Sequence, residues 1–515
     1  MSYRKKILNN SFFYGLAGYQ ETIIGMLVSI LVARQLGAEA YGRYSLMMWV
    51  VALGVMLTSG GVVTSIIKFV AEQRGDKGNI SIPSIVSYNL RGLYIKLPFT
   101  LLIIAILLLL IEKKLPAENA IVLSGIVLLA ILPKALQAFY TSVLKGMENF
   151  KSLFLLNSIV TPINLLAVLY AVWTDGGIYV FLCLYLAITT LYYLVSRYYA
   201  KREVDKYSGN IGLSVTSSDK KNMNQQIKLL YLTSMLGFFV DRQMEVFFLN
   251  MLATPEAAAY YNVAFMLSLY SVELIPGLLV GVLLPVMAKS RKDGLEVQAY
   301  RYREIGRYLM LLTAPVVIFV AVFAGLIVEI LYGAQYKAAA MPLSVLVLAA
   351  ILAPLAGLAN SILVSHERQK TVLKLISFTA ILNIIIDYYL IKYFSLNGAV
   401  IGFSVIKLGL SVVLLVLASR IVKTRLDFIF FAKVIMLSVL AVTPLFFIKE
   451  SGVPLLVFLL SGVGFTVLYF ILLVQFRMIT RDDIELLRHI KEKIPGKYEF
   501  LTHRLFMWME GRQRL

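Results

Sequence analysis

The sequence predicts an all-α polytopic membrane protein with about 14 transmembrane helices, built as two parallel six-helix repeats followed by two C-terminal helices. Composition, the placement of basic residues and an internal repeat carry that expectation. Of 515 residues, 59% are hydrophobic and 15% charged, against about 45 to 50% apolar and about 25% charged in an ordinary soluble domain. So much apolar surface cannot be hidden in water. Runs such as Leu97 to Ile111 lie inside stretches of roughly 20 residues, long enough to cross about 30 Å of hydrocarbon as helix. Lipid offers the backbone no hydrogen-bond partner, which selects helix, and no stretch alternates as a lipid-facing barrel strand does.

Apolar windows between charge clusters fall at 11–33, 44–66, 90–111, 119–142, 153–174, 178–198, 229–252, 259–284, 308–331, 341–364, 375–393, 398–418, 430–448 and 453–475. In a soluble protein the formal charge of +20 would point to nucleic acid, but the charges lie mostly between the windows. With the N-terminus inside, the inner connections hold 37 Lys and Arg and the outer ones seven, the asymmetry of a cytoplasmic face. Both termini are therefore expected in the cytoplasm, in the cell (plasma or inner) membrane, and no nucleic-acid partner is needed. The first window is longer than the apolar region of a cleaved signal peptide.

Several classes of chemistry are excluded. Cys183 is the single cysteine, so the chain has no internal disulfide and no cysteine-rich metal site. His366, His489 and His503 are scattered without metal-ligand spacing, and Gly462 with Gly464 lacks the third glycine of a nucleotide-binding turn. There is no phosphate-binding Gly-Lys-Ser/Thr loop and no nucleophile elbow, and the outer connections are too short to hold a catalytic domain. A non-enzyme without cofactor is expected.

Sliding the chain on itself superposes its halves. At an offset of 217, Glu39-Ala40, Tyr44 and Leu46 fall on Glu256-Ala257, Tyr261 and Val263; at 219, Ser142, Leu144, Glu148, Ser158 and Asn164 fall on Ser361, Leu363, Glu367, Ser377 and Asn383. The divisions that follow are an N-terminal half (1–209), a polar cytoplasmic linker (210–228), a C-terminal half (229–423), helices 13 and 14 (424–475) and a basic tail (476–515). The tail carries Leu487, Ile490, Ile494, Phe506 and Trp508, so it reads either as an interfacial helix or as a solvated segment. Six helices per half is an even number, which makes the repeat parallel. In transporters built this way the substrate sits between halves that rock; the alternative is a duplicated scaffold that moves nothing.

The repeated residues resemble the polysaccharide transporters of the multidrug/oligosaccharidyl-lipid/polysaccharide flippase superfamily, in particular the Wzx-type lipid-linked oligosaccharide flippases. Arg34-Gln35-Leu36-Gly37-Ala38-Glu39-Ala40-Tyr41-Gly42-Arg43-Tyr44-Ser45 is similar to that family's turn between its first two helices. Asp241 with Ala259-Tyr260-Tyr261-Asn262-Val263-Ala264 resembles its seventh and eighth helices, and Leu331-Tyr332-Gly333 with Tyr336 and Ala339 the turn after its ninth. The family often has Gly where this chain has Ala259. The resemblance implies a V-shaped two-lobe bundle and export of an isoprenoid-diphosphate-linked oligosaccharide from the inner to the outer leaflet. Its implied partners are that lipid-linked oligosaccharide, membrane lipid and a polysaccharide polymerase or export machinery. The pair 430–475 favours the lipid-linked substrate over the alternative, a cation-coupled drug exporter. A membrane glycan ligase or polymerase is a third reading, disfavoured by the short outer connections.

Charge inside a membrane helix costs about 2.5 to 3.5 kcal/mol on insertion scales, so Glu21, Lys96, Lys134, Asp241, Arg242, Glu245, Glu273, Asp387 and Lys407 should face the bundle interior with partners or tasks. Asp241 and Glu245 share a face if helix seven is continuous, and Arg242 and Glu245 can pair within it. If helices one, two, seven and eight line the cavity, as in the resembling family, Arg242, Lys134 and Lys407 are candidates for the substrate diphosphate. Glu21, Asp241, Glu245 and Glu273 are candidates for a coupling H+ or Na+. The alternative for each is an ion-paired network holding helices together, and Lys96 and Lys134 can instead snorkel to an interface.

Overall fold

The computed structural model describes residues 3–73, 80–112, 120–207, 217–241, 244–273, 277–448, 455–480, 483 and 485. In chain order the helices are α1 (Tyr3–Ser59), α2 (Val62–Gln73), α3 (Ile82–Leu110), α4 (Ala120–Gly146), α5 (Phe150–Trp173), α6 (Ile178–Asp205), α7 (Ser217–Asp241), α8 (Met244–Leu252) and α9 (Pro255–Glu273). They continue as α10 (Gly277–Asp293), α11 (Leu295–Val322), α12 (Ala324–Tyr332), α13 (Ala340–Ala349), α14 (Ala353–Ser365), α15 (Gln369–Ile421), α16 (Phe428–Val442) and α17 (Leu455–Gln475), with a 3₁₀ turn at Ala334–Ala339 between α12 and α13.

Ten helical segments among the described residues are long and apolar enough to cross a membrane. Two of them, in α1 and α15, are bent into two arms at Gly37 and Ser395, so twelve of the fourteen windows have a helical counterpart. The other two, 229–252 and 259–284, run through 242–243 and 274–276, outside the described residues. The outer faces are as greasy as a lipid solvent requires: Phe99 is 67% exposed and Leu110 78%. Hydroxyls in these spans bond back to the preceding turn, as Thr58 Oγ1 does to the Gly54 carbonyl at 2.8 Å and Ser438 Oγ to that of Val434 at 2.8 Å, which removes an orphan donor from hydrocarbon. Much of the polar stretch 210–228 is helical, because α7 already begins at Ser217. Asn224 and Gln226 there bond Tyr88 at 3.0 Å and Lys68 at 2.8 Å.

The repeat is visible in the turns. Glu148 and Glu367, 219 apart, both take left-handed backbone (φ 51° and 60°). The next amide in each case closes the same cap, Asn149 N to Leu144 O at 3.0 Å and Arg368 N to Leu363 O at 2.9 Å. Such a cap satisfies the last carbonyls of a helix whose sequence cannot continue it.

The chain forms two compact units. One comprises Met1–Tyr270, Leu331–Pro342 and Gln369–Ile406; the other Ser271–Ile330, Leu343–Arg368 and Lys407–Leu515. In the first, α4 packs on α6 and α1 on α5, and Asn157 Nδ2 donates across to the Ala17 carbonyl at 3.0 Å. Its bend at Gly37 (φ 74°, ψ 171°) needs glycine, since that region is closed to a Cβ. The 3₁₀ turn is held to this bend: Tyr336 Oη donates to the Ala33 carbonyl at 2.7 Å and Gln335 Nε2 to that of Arg34 at 3.1 Å.

In the second unit α10 packs on α14, α11 on α16 and α16 on α17. The start of the tail docks there. Arg307, on α11, forks onto Asp483, pairing through Nη2 and donating from Nη1 at 3.3 Å, and reaches the Met478 carbonyl at 2.9 Å. Tyr308 Oη adds a bond to Asp483 at 2.6 Å and the Thr480 amide another at 2.7 Å. Burial alone would raise the Asp483 carboxyl, but those hydrogen bonds and the Arg307 charge outweigh it and hold it below its usual value. Stability from a depressed carboxyl is present above the unfolded value and lost as pH falls through the folded one. Arg307→Ala should release Met478, Thr480 and Asp483 from α11 at a cost of roughly 2 to 3 kcal/mol, read as new protease cleavage beside them at neutral pH; the unmutated chain should show it only below about pH 4. The remaining tail, 486–515, lies outside the described residues.

Candidate functional site

The first unit holds two groups of polar side chains deep among apolar helices. The first is a pair of acids. Glu245 stands in the first turn of α8, where exposed amides favour negative charge; Asn383 and Asp387 are four apart on the first arm of α15 and so share a face. Glu245 is 1% exposed and Asp387 0%, and the two adjoin each other and Tyr261 of α9. Asn383 Nδ2 donates to Asp387 Oδ2 at 2.8 Å and to the Phe239 carbonyl at 3.4 Å. Gly402, on the second arm of α15, lets that backbone close on the carboxylate: a Cβ there would stand 2.7 Å from Asp387 Oδ1.

This arrangement is short of donors. Glu245 Oε1, Asp387 Oδ1 and the Tyr261 hydroxyl have no hydrogen-bond partner among the described residues, and neither acid forms an ion pair with a described Lys or Arg. Two carboxylates cannot both stay ionised side by side away from water. They need a proton, or a small hard cation that takes oxygen ligands, and carboxylate, amide and hydroxyl oxygens are the donor set such a cation accepts.

The second group lines a cavity of about 450 Å³ between both arms of α1, α4, α5, α6 and α9. It holds one acid, Glu21, and one base, Lys134, the latter just after Pro133 in α4. The amides Gln137, Asn164 and Asn262 and the rings of Tyr44, Trp49 and Tyr185 share the wall. Tyr41 ties the cavity together, its hydroxyl 3.0 Å from Ser29 Oγ and accepting from Asn262 Nδ2 at 3.3 Å. Amides, hydroxyls and flat ring faces recognise polar, ring-shaped ligands, while a cation and an anion on one wall can steer a charged group.

Of the residues expected from sequence, Glu21 and Lys134 are brought together in the cavity and Glu245 stands in the acid pair. Lys407 is half-buried in the second unit. Asp241 ends α7 and Glu273 ends α9, but their side chains lie outside the described residues, as does all of Arg242. Since α7 ends at Asp241 and α8 starts at Met244, the expected shared face of Asp241 and Glu245 and the Arg242–Glu245 pair fall there too. Asp387 counts among the membrane charges in the sequence but has no role until the fold sets it beside Glu245. The signal that could have found it is the Asn383–Asp387 spacing, Asn383 being the repeat counterpart of the cavity residue Asn164.

This is the fold of membrane flippases and transporters, with buried polar sites inside an apolar bundle. By a family model matching residues 31–341, the chain belongs to the family described as polysaccharide biosynthesis protein. Among solved structures it is similar to one titled lipid II flippase MurJ in an inward closed conformation (13% identity, 89% of this chain and 97% of that one, TM-score 0.71). It is also similar to an inward-facing multidrug resistance MATE family transporter of the MOP superfamily (15% identity, 78% and 94%, TM-score 0.61). A third is a MOP superfamily transporter from Pyrococcus furiosus (15% identity, 81% and 96%, TM-score 0.58). At these identities the likeness establishes the fold. No curated protein matches the chain.

Proposed function

We propose that the chain is a secondary flippase that carries isoprenoid-diphosphate-linked oligosaccharide from the inner to the outer leaflet by alternating access, for cell-surface polysaccharide, with both termini in the cytoplasm. The observation that carries this reading is the cavity of the first unit, which offers Lys134 for an anionic head and amides and aromatic faces for sugar, in a family of polysaccharide biosynthesis proteins. The pair Glu245–Asp387 binds the coupling ion, H+ or Na+. Arg242 joins Lys134 as a cation that meets the diphosphate, and Glu21 accepts from the bound head or relays a proton. A polysaccharide polymerase or export machinery receives the product.

The experiment is reconstitution of the full chain in vesicles loaded with fluorescent lipid-linked oligosaccharide. Translocation without ATP, driven by an imposed ion gradient, is expected. Lys134→Met and Arg242→Ala should each slow it about tenfold or more, the worth of a charged hydrogen bond, while the folded fraction stays the same. Full activity in both variants would remove those cations from the site. A second reading, export of small cationic compounds, is favoured by Glu21 within an aromatic-walled cavity; it wins if the vesicles move only such compounds and leave lipid-linked sugar in place.

A further inference from the structure

A second cavity of the first unit, about 340 Å³, lies between the end of the second arm of α1, α3 and α7, away from the acid pair and the substrate cavity. Its wall is apolar through Leu57, Phe99, Ile103 and Ile227, with two cations, Lys96 and Lys228. Neither lysine forms an ion pair with an acid among the described residues. Lys96 rests on an aromatic face instead, its Nζ 4.9 Å from the Tyr231 ring centroid, and the Tyr231 hydroxyl donates to the Leu57 carbonyl at 3.3 Å. The seat is tight. Gly61 (φ +74°) lets the Ile227–Tyr231 backbone close on α1, and a Cβ there would stand 2.6 Å from the Tyr231 amide.

The cavity is layered like a lipid. On the side of the Lys- and Arg-rich connections, α7 is tied by Tyr88–Asn224 and Lys68–Gln226. The two lysines lie next along α3 and α7. Lys96 is six residues into the apolar window that starts at 90, about 9 Å at 1.5 Å per residue. Phe99 and Ile103, beyond it, are 67% and 52% exposed on the lipid-facing side of α3. A half-buried cation such as Lys96 is costly in hydrocarbon, so its charge, with the exposed Lys228 on the same cavity wall and no described acid paired to either, calls for an anion that brings its own acyl chains.

We infer that this cavity binds the phosphate of an anionic glycerophospholipid from the basic-side leaflet, held by Lys96 and Lys228 with an acyl chain along Phe99 and Ile103. The site is separate from the substrate cavity, and the inference stands whether or not the flippase reading does. Each lysine favours an anionic over a zwitterionic headgroup by about fivefold.

The test uses the full chain carrying Phe99→Trp, reconstituted in phosphatidylcholine vesicles with brominated phosphatidylglycerol or brominated phosphatidylcholine, the unmutated chain subtracting the signal of its own tryptophans. Phosphatidylglycerol should quench Trp at 99 preferentially. Lys96→Gln and Lys228→Gln should each reduce the preference about fivefold, Lys96→Arg should keep it, and added inorganic phosphate should leave it unchanged. Lys228 is exposed, so its variant reports even where Lys96→Gln fails to fold. Equal quenching by both lipids, a preference that survives both Gln variants, or displacement of the lipid by inorganic phosphate would overturn the inference.

Discussion

Vesicles containing Asp387→Asn should still exchange substrate between leaflets but should no longer concentrate it in response to an imposed Na+ or H+ gradient. The reason is local. Asp387 is fully buried, its Oδ2 accepts from Asn383, and its Oδ1 faces Gly402 with no donor. Asparagine fills the same volume, so packing survives while the negative charge that calls for a proton or cation is gone. One charge moved across 100 mV is worth about 2.3 kcal/mol, or roughly a fortyfold accumulation ratio; in the variant that ratio should fall to about one. Glu245→Gln should do the same. Neither should melt earlier, because burying a carboxylate without a cationic partner is itself costly. Gradient-driven accumulation at the unmutated level in both variants would end the coupling assignment, and a comparison of Na+ with pH gradients identifies the ion.

The second large effect is steric. Gly42, on the second arm of α1, packs directly on the start of α9: a Cβ would lie 1.8 Å from the Pro255 carbonyl oxygen and 2.4 Å from its carbon. Backbone cannot rotate aside as a side-chain tip can. Gly42→Ala must therefore push α9 from α1, straining the Tyr41 bonds to Ser29 and Asn262 in the same layer. A loss of about 3 kcal/mol is expected, the upper range for overpacking, visible as a lower melting temperature in detergent. Gly464→Ala is the control. It has open space around it, and a helical alanine there should gain up to about 1 kcal/mol. Equal melting of the two variants would mean that the contact gives way at no cost.

The membrane class and most spans were legible because crossing hydrocarbon requires a length of apolar helix that any window detects. The motif Gly37–Tyr41–Gly42 was legible as well, though only as a likeness; its physical reasons are a left-handed bend, a bridging hydroxyl and a backbone contact, none of which a single sequence states. Asp387 was legible as an anomaly without a task, since its partner Glu245 belongs to a distant helix. Tail docking was missed altogether. The segment after 476 reads as basic, and nothing in the sequence marks Asp483, one of its six acids, as the one that Arg307 on α11 will capture.

The cavity of the first unit, at about 450 Å³, has the size of a small-molecule pocket, far short of a lipid-linked oligosaccharide. On the flippase reading, contact is confined to the head of the cargo and whatever sugar lies next to it, while distal sugars and the isoprenoid trail outside that cavity. Glycans that share a reducing end would then be handled alike whatever their length or branching. Quality control over the finished chain would have to reside in the enzymes that act before and after transport.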